Sequence, residues 1–327
     1  MLKKLMIILE CSRIYSLPMT LLSWLVIFTY SVLHSGNVWY GLLALVGISL
    51  VHLGTNVLDD YFDYKSLIKR VDFDKKEYIK NVQKTKCRYL VMEVITTSQL
   101  LTLAGTYFFV AGLIGLFFLI KCGTAVLYFM LFGGIITLLY SFISKIRLSE
   151  LAVALTYGPL LFGGVNFVMT KTLSWEAFLL ALPTMLMTVI LLYTHSVMDY
   201  EYDLKEGHYT IANLFDSQLD SLIVLKILLI LSYISLFAIC IFDISDWQVL
   251  LPLLTIPLGI DLYKSMVDFS TDTNSVPRRK WFHFPMENME HIEKMNAESF
   301  MIRIYQSRNL MIYFSIFLII GLLAEII

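Results

Sequence analysis

The stretch Trp39–Thr55, WYGLLALVGISLVHLGT, is apolar apart from His52 and a few small polar residues, and it leads directly into Asn56–Tyr64, NVLDDYFDY. An α-helix needs about 20 apolar residues to cross roughly 30 Å of hydrocarbon, so the first part reads as a membrane span. The second part then sets three aspartates and an asparagine at the end of that span.

The rest of the chain repeats the apolar pattern. It has 327 residues, 58% of them hydrophobic and 16% charged, with mean hydropathy +0.73; soluble domains carry about a quarter charged residues. Nine apolar runs stand out, at 15–34, 39–58, 92–120, 124–144, 150–170, 177–198, 221–242, 248–263 and 309–327. A transmembrane β-barrel would show short alternating segments instead. The expectation is one all-α domain over residues 1–327, a polytopic bundle of nine transmembrane helices around a central cavity open to the inner face. No linker or low-complexity segment divides it.

Lys3, Lys4 and Arg13 precede the first span, which predicts a cytoplasmic N-terminus. In a bacterium that places the protein in the cell membrane. Of 25 Lys and Arg, only Lys121 and Lys171 then fall in outer loops. The inner 65–91 loop carries Lys65, Lys69, Arg70, Lys75, Lys76, Lys80, Lys84, Lys86 and Arg88 against Asp72, Asp74 and Glu77. That loop reads either as an anchor against anionic headgroups or as a collector for an anionic substrate. Net charge is −1, which gives no ground for nucleic acid as a partner. Cys11, Cys87, Cys122 and Cys240 are isolated and form no metal or disulfide pattern. MLKKLMIILE has a short apolar core and no small-residue cleavage site, so no cleavable signal is expected. In the last inner loop Met289, Ile292, Met295, Ser299 and Ile302 fall at helical spacing, predicting an amphipathic surface helix, and Trp281, Phe282 and Phe284 suit the interface.

On a helix, Asn56, Asp60 and Asp63 share one face, with Asp59 beside them. A second group ends the sixth span in DYEYDLKEGHYT, Asp199–Thr210: Asp199 and Asp203 are four apart, and Glu201 points elsewhere. Both groups sit at inner ends of spans and so can face a common cavity. Charge near hydrocarbon is costly and marks function by default. Several carboxylates facing one another need a cation, and oxygen ligands without His or Cys favour Mg²⁺. Such a site suits ionisation of an allylic diphosphate. The metal neutralises the leaving diphosphate, Lys and Arg add donors, and aromatic faces shield the carbocation.

These residues resemble the UbiA superfamily of intramembrane aromatic prenyltransferases, whose members share a nine-helix bundle. NVLDDYFD is similar to its first Asp-rich motif and DYEYDLKEGHYT to its second. Asp199, Asp203, Glu206-Gly207 and Thr210 lie nearest to the 1,4-dihydroxy-2-naphthoate (menaquinone) branch. RIYSLPMTLLSW, with Arg13 and Leu17-Pro18, resembles the approach to the first helix. YSFISKIRLSELAVALTYGPLLFGG, with Glu150 and Gly158-Pro159, resembles the fourth-to-fifth helix segment. The chain departs from the pattern at Asp59-Asp60, where the family has Asn-Asp, at His195-Ser196-Val197-Met198, and at a missing Pro after Tyr140-Ser141.

The resemblance implies that Asn56, Asp60, Asp63, Asp199 and Asp203 hold Mg²⁺, with Asp59 a ligand or a neighbour. Arg13, Lys65 and Lys145 are implied diphosphate contacts, or else interfacial anchors. Tyr140, Tyr157 and Phe162 either stabilise the cation or pack. His195, one turn before Asp199, takes the acceptor's proton, orients its hydroxyl, or is bonded within the bundle; His52 shares that ambiguity. The implied activity is Mg²⁺-dependent transfer of a polyprenyl group from polyprenyl diphosphate to an aromatic acceptor in quinone (menaquinone-like) biosynthesis, with membrane lipid as surroundings. The alternatives are a porphyrin, sugar phosphate or lipid alcohol acceptor, or a cation-coupled transporter. Four spans separate the two acidic groups, an even number that sets them in one orientation, against the inverted repeats of many transporters.

Overall fold

The computed structural model describes residues 2–70, 73–75, 78, 87–206 and 209–324. Asp72, Lys76, Glu77, Lys80, Lys84, Lys86 and Gly207 lie outside them. Every regular element among the described residues is helical. Among the described residues nine helices are long and apolar enough to cross a membrane: Ile14–Leu33, Val38–Leu67, Thr97–Cys122, Ala125–Ile146, Ser149–Thr170, Trp175–Met198, Gln218–Ile241, Trp247–Thr271 and Glu298–Leu323. The chain is a multi-pass integral membrane protein.

Two compact units emerge. The first takes residues 1–21 and 38–142, the second 22–37 and 143–327. In the first unit, α1 (Leu2–Cys11) and the start of α2 (Leu17–Leu33) precede α3 (Val38–Leu67). A helical turn α4 (Arg88–Val91), then α5 (Thr97–Cys122) and α6 (Ala125–Ile143), follow. α3 runs to Leu67, past the end of the apolar run at 58, so Asn56, Asp60 and Asp63 lie on one continuous helix, as their spacing predicts. α5 begins at Thr97, five residues later than the apolar run suggests. The cause is local: Thr96 Oγ1 accepts from the Gln99 N–H and Gln99 Oε1 from the Thr96 N–H, a capping box that fixes the start. Helices α3 and α5 pack closely because Gly54 has no side chain. A Cβ there would stand 2.9 Å from the Phe108 ring.

The second unit continues with α7 (Ser149–Leu155), α8 (Leu161–Thr170), α9 (Trp175–Met198) and α10 (Tyr200–Glu206). After these come α11 (Gln218–Ile241), α12 (Ile256–Thr271), α13 (Met289–Lys294) and α14 (Glu298–Leu323). The fifth span is broken between α7 and α8 by a π-helical turn, Thr156–Leu160. Pro159 lacks the N–H a regular helix needs there, and Gly158 before it leaves helical geometry (φ −98, ψ −109). α9 is the core of this unit, with Leu180, Met187, Ile190, Tyr193 and Val197 all buried. The surface helix expected over 289–302 is instead split. Asn296 adopts a left-handed conformation (φ 50) that ends α13, and Ser299 and Ile302 belong to α14, which starts eleven residues before the apolar run at 309. Arg303 explains the early start: fully buried, it donates to the carbonyls of Ser265, Ser275 and Ser299, so that turn is built into the unit.

Candidate active site

In the first unit the acidic stretch becomes a network. Arg13 sits between α1 and α2 in a left-handed conformation (φ 53, ψ 50), uncommon for a residue with a side chain. Its guanidinium donates to Asp60 Oδ1 and stands 3.8 Å from Asp59 Oδ2. Both carboxylates are buried, at 5% exposure for Asp59 and 8% for Asp60. Asp59 Oδ1 also accepts from Ser141 Oγ on α6 at 3.0 Å. The backbone carbonyl of Asp60 accepts from Cys87 Sγ at 3.2 Å, tying α3 to the turn before α4.

One turn earlier, Asn56 Nδ2 donates to Ser12 O at 3.2 Å and to Ser16 Oγ at 3.0 Å. Ser16 spends its own proton on Arg13 O at 2.7 Å, so its oxygen accepts from His52 Nε2 at 2.6 Å. His52 Nδ1 then accepts from Thr20 Oγ1 at 3.0 Å. His52 is thereby a hydrogen-bonded core histidine that orders the α1–α2 connection. With both amide hydrogens of Asn56 engaged, its Oδ1 makes no hydrogen bond to a described residue. It is a hard oxygen on the same helix as Asp60 and Asp63.

Lys65 is exposed, its Nζ 4.7 Å over the Tyr61 ring. Tyr140 is half-buried on α6. Beside this network, burial and the neighbouring Glu10 push the Cys11 thiol up to about 11.

The second acidic group belongs to the second unit. α9 ends at Met198, and Asp199 is its C-cap (φ −88, ψ 4), so Asp199 and Asp203 are not on one uninterrupted helix. The four-residue link survives nonetheless: Asp199 N–H donates to His195 O at 2.9 Å, and Asp203 N–H to Asp199 O at 2.8 Å. Gln218 Nε2 holds Val197 O at 2.6 Å, and Asn213 Nδ2 holds Tyr200 O at 3.2 Å. Thr210, the last residue of the second motif, donates through N–H and Oγ1 to Asn213 Oδ1 at 3.2 and 3.1 Å. Burial, then Glu201, Asp216 and Asp220, raise the Tyr200 hydroxyl, a sign of a negative local field. The His195 ring lies 6.1 Å from the Phe300 ring. Lys145 is half-buried in a 3₁₀ turn, Ser144–Ile146; Tyr157 (8% exposed) and Phe162 (0%) are buried.

Sequence reasoning missed the serines. The hydroxyls of Ser16, Ser141 and Ser196 orient the amide and acidic side chains, and serines in apolar helices carry no distinctive spacing. Among the described residues no three His, Cys, Asp or Glu side chains converge to hold a metal alone. The donor set still fits Mg²⁺, which takes one or two carboxylates and completes its shell with water and substrate phosphate. The free Asn56 Oδ1 belongs to that oxygen-only set.

The sequence pattern of the UbiA prenyltransferase family matches residues 16–287. The UbiA prenyltransferase domain-containing protein 1 homolog of Drosophila melanogaster is 29% identical over 236 residues, covering 70% of this chain and 61% of that protein. UbiA prenyltransferase domain-containing protein 1 of Danio rerio is 26% identical over 223 residues, covering 68% of this chain and 63% of that protein. The chain thus spans about three-fifths of the length of these relatives. A solved digeranylgeranylglyceryl phosphate synthase shares the fold, with TM-score 0.63 at 16% identity over 98% of this chain and 99% of that one.

Proposed function

The chain belongs to the UbiA prenyltransferase family, and from that premise we propose that it transfers a polyprenyl group from polyprenyl diphosphate to an aromatic acceptor. The acceptor we favour is a quinone precursor of the dihydroxynaphthoate type. The observation that carries the reading is the buried Asp59–Asp60 pair, held by Arg13 and Ser141 in a helix otherwise made for lipid. Arg13 sets one positive charge against two buried carboxylates, and the charge left over favours a further cation.

In this reading Asn56, Asp60, Asp63, Asp199 and Asp203 hold Mg²⁺, which when bound supplies charge neutralisation for the departing diphosphate. Arg13, Lys65 and Lys145 contact diphosphate oxygens, Arg13 with a fork suited to bidentate binding. Tyr140 and Tyr157 present ring faces to the developing cation. His195 orients the acceptor's hydroxyl. The family match runs through segments of both units, which supports reading residues 1–327 as one prenyltransferase domain. The Lys and Arg bias supports a cytoplasmic N-terminus.

The test uses purified protein, radiolabelled farnesyl or geranylgeranyl diphosphate and a panel of acceptors including 1,4-dihydroxy-2-naphthoate, with Mg²⁺ or with EDTA. Labelled product should require Mg²⁺ and fall by about 10²-fold or more in Asp60→Asn and Asp199→Asn, the scale of losing one preorganised contact to developing charge. Labelling of a lipid alcohol or sugar phosphate alone would overturn the quinone assignment. Absence of diphosphate binding and of any Mg²⁺ response would overturn prenyl transfer and bring the transporter reading forward.

A further inference from the structure

Glu150, at the start of α7, is 2% exposed, and its carboxyl is held by hydroxyls alone. Ser149 Oγ donates to Oε2 at 2.8 Å, and Ser196 Oγ donates to Oε1 at 3.0 Å. No described Lys, Arg or His forms an ion pair with it. Burying a carboxyl at the end of a membrane-spanning helix without a cation is costly, and an apolar side chain of similar volume would hold α7 against α9 more cheaply. Its retention calls for chemistry.

The placement suggests which chemistry. Ser196 lies in the turn of α9 between His195 and Asp199. Its single hydroxyl proton points to Glu150, with the longer 3.4 Å approach to Leu192 O as the alternative. Its lone pairs accept no hydrogen bond from a described residue. A hydroxyl that gives to a buried carboxylate while keeping its lone pairs free is arranged to pass a proton inward.

We propose that Glu150 is the final proton acceptor of the reaction, reached through the hydroxyl of Ser196. The inference rests on the reading of the protein as a prenyltransferase acting on a hydroxylated aromatic. The acceptor's O–H gives its proton to Ser196 Oγ as the proton of Ser196 moves to Glu150 Oε1, leaving an aryl oxide and a neutral carboxylic acid. The prenyl C–O bond breaks with its electron pair leaving on diphosphate, and a ring carbon of the aryl oxide forms the new C–C bond. The displaced ring proton then moves to the ring oxygen and restores the hydroxyl. One proton is lost overall, the one on Glu150, which passes to water. In this proposal Ser196 meets the acceptor, and Glu150 takes the proton through the Ser196 hydroxyl without touching the substrate.

The experiment compares wild type, Glu150→Gln, Glu150→Asp and Ser196→Ala on 1,4-dihydroxy-2-naphthoate and on a ring-fluorinated derivative with a more acidic hydroxyl. In parallel, farnesyl diphosphate labelled with ¹⁸O at the bridging position reports ionisation by scrambling of the label. Glu150→Gln and Ser196→Ala should lose about 10²-fold in kcat on the parent acceptor, the scale of proton-transfer assistance. The loss should shrink on the fluorinated acceptor, KM for the diphosphate should hold, and Glu150→Asp should recover part of the rate. A purely structural clamp would lower both acceptors equally and reduce scrambling with product; that result overturns the proposal, as does no loss at all. Ser196→Ala, a small change, decides the question if Glu150→Gln does not accumulate. Wild type that scrambles label but alkylates neither naphthoate overturns the relay and leaves prenyl diphosphate ionisation standing. Wild type that neither scrambles nor alkylates removes the prenyltransferase reading itself.

Discussion

Arg13 and Asp60 meet across 47 residues of sequence, the guanidinium donating to a carboxylate that is 8% exposed, with Asp59 3.8 Å away on the same cation. Removing one partner of a buried pair leaves the other uncompensated, at about 3–5 kcal/mol. Arg13→Ala should therefore lower thermal stability measured by unfolding in detergent, and added Mg²⁺ should restore part of the loss by neutralising the same carboxylates. An Arg13→Ala protein as stable as wild type in EDTA would show that the carboxylates do not depend on this cation.

Ser141 holds Asp59 from α6. A hydrogen bond to a charged group contributes about 1.5–3 kcal/mol, so Ser141→Ala should weaken Mg²⁺ activation, read as a rightward shift in the Mg²⁺ dependence of turnover, while Ser141→Thr should retain it. Unchanged Mg²⁺ dependence in Ser141→Ala would remove Asp59 from the metal's surroundings.

Arg303 is fully buried, and its forked donors satisfy carbonyls of Ser265, Ser275 and Ser299 and the Ser275 hydroxyl, with the Phe269 ring 4.8 Å away. Lys cannot reproduce that fork. Arg303→Lys should destabilise by about 1–3 kcal/mol per carbonyl left without a donor and speed amide exchange in residues 273–276. Wild-type exchange there would mean other donors hold the segment.

Gly54 and Phe108 set the approach of α3 to α5. Gly54→Leu should cost about 1–3 kcal/mol or more by overpacking, and Phe108→Ala in the same chain should recover part of it. Additive losses in the double variant would place the cost elsewhere.

His283 is buried beside Asp261, its Nε2 3.2 Å from Oδ2, with Lys280 on the same carboxylate at 2.5 Å. Burial lowers its pKa from the ordinary 6.5, outweighing the opposing pull of Asp261, and Lys280 adds to the lowering. The unfolded chain therefore takes up the proton first, and stability falls as pH drops through 6.5 towards the folded value. Corrected for the intrinsic pH dependence of exchange, the protection of amides 280–284 should fall between pH 7.5 and pH 5.5, and His283→Gln should remove that fall.

The apolar run at Trp39–Thr55 and its eight counterparts determined the fold class by themselves. Hydrocarbon admits only chains whose backbone groups are satisfied internally, so length and hydropathy suffice to read helices. The helix ends were less legible, because Thr96, Asn296 and Asp199 end or begin helices through hydrogen bonds and backbone conformation that apolar runs do not encode. Spacing grouped Asn56, Asp60 and Asp63, and it linked His195, Asp199 and Asp203, since those relations follow from the 3.6-residue turn. What the tertiary structure decided is which of these side chains is held and by what. Arg13 reaches Asp60 over 47 residues and Ser141 reaches Asp59 over 82, while Ser196 reaches Glu150 over 46. A buried carboxyl draws its meaning from the donors around it, and Arg13, Ser141 and Ser196 reach theirs from far along the sequence, so no local pattern names them.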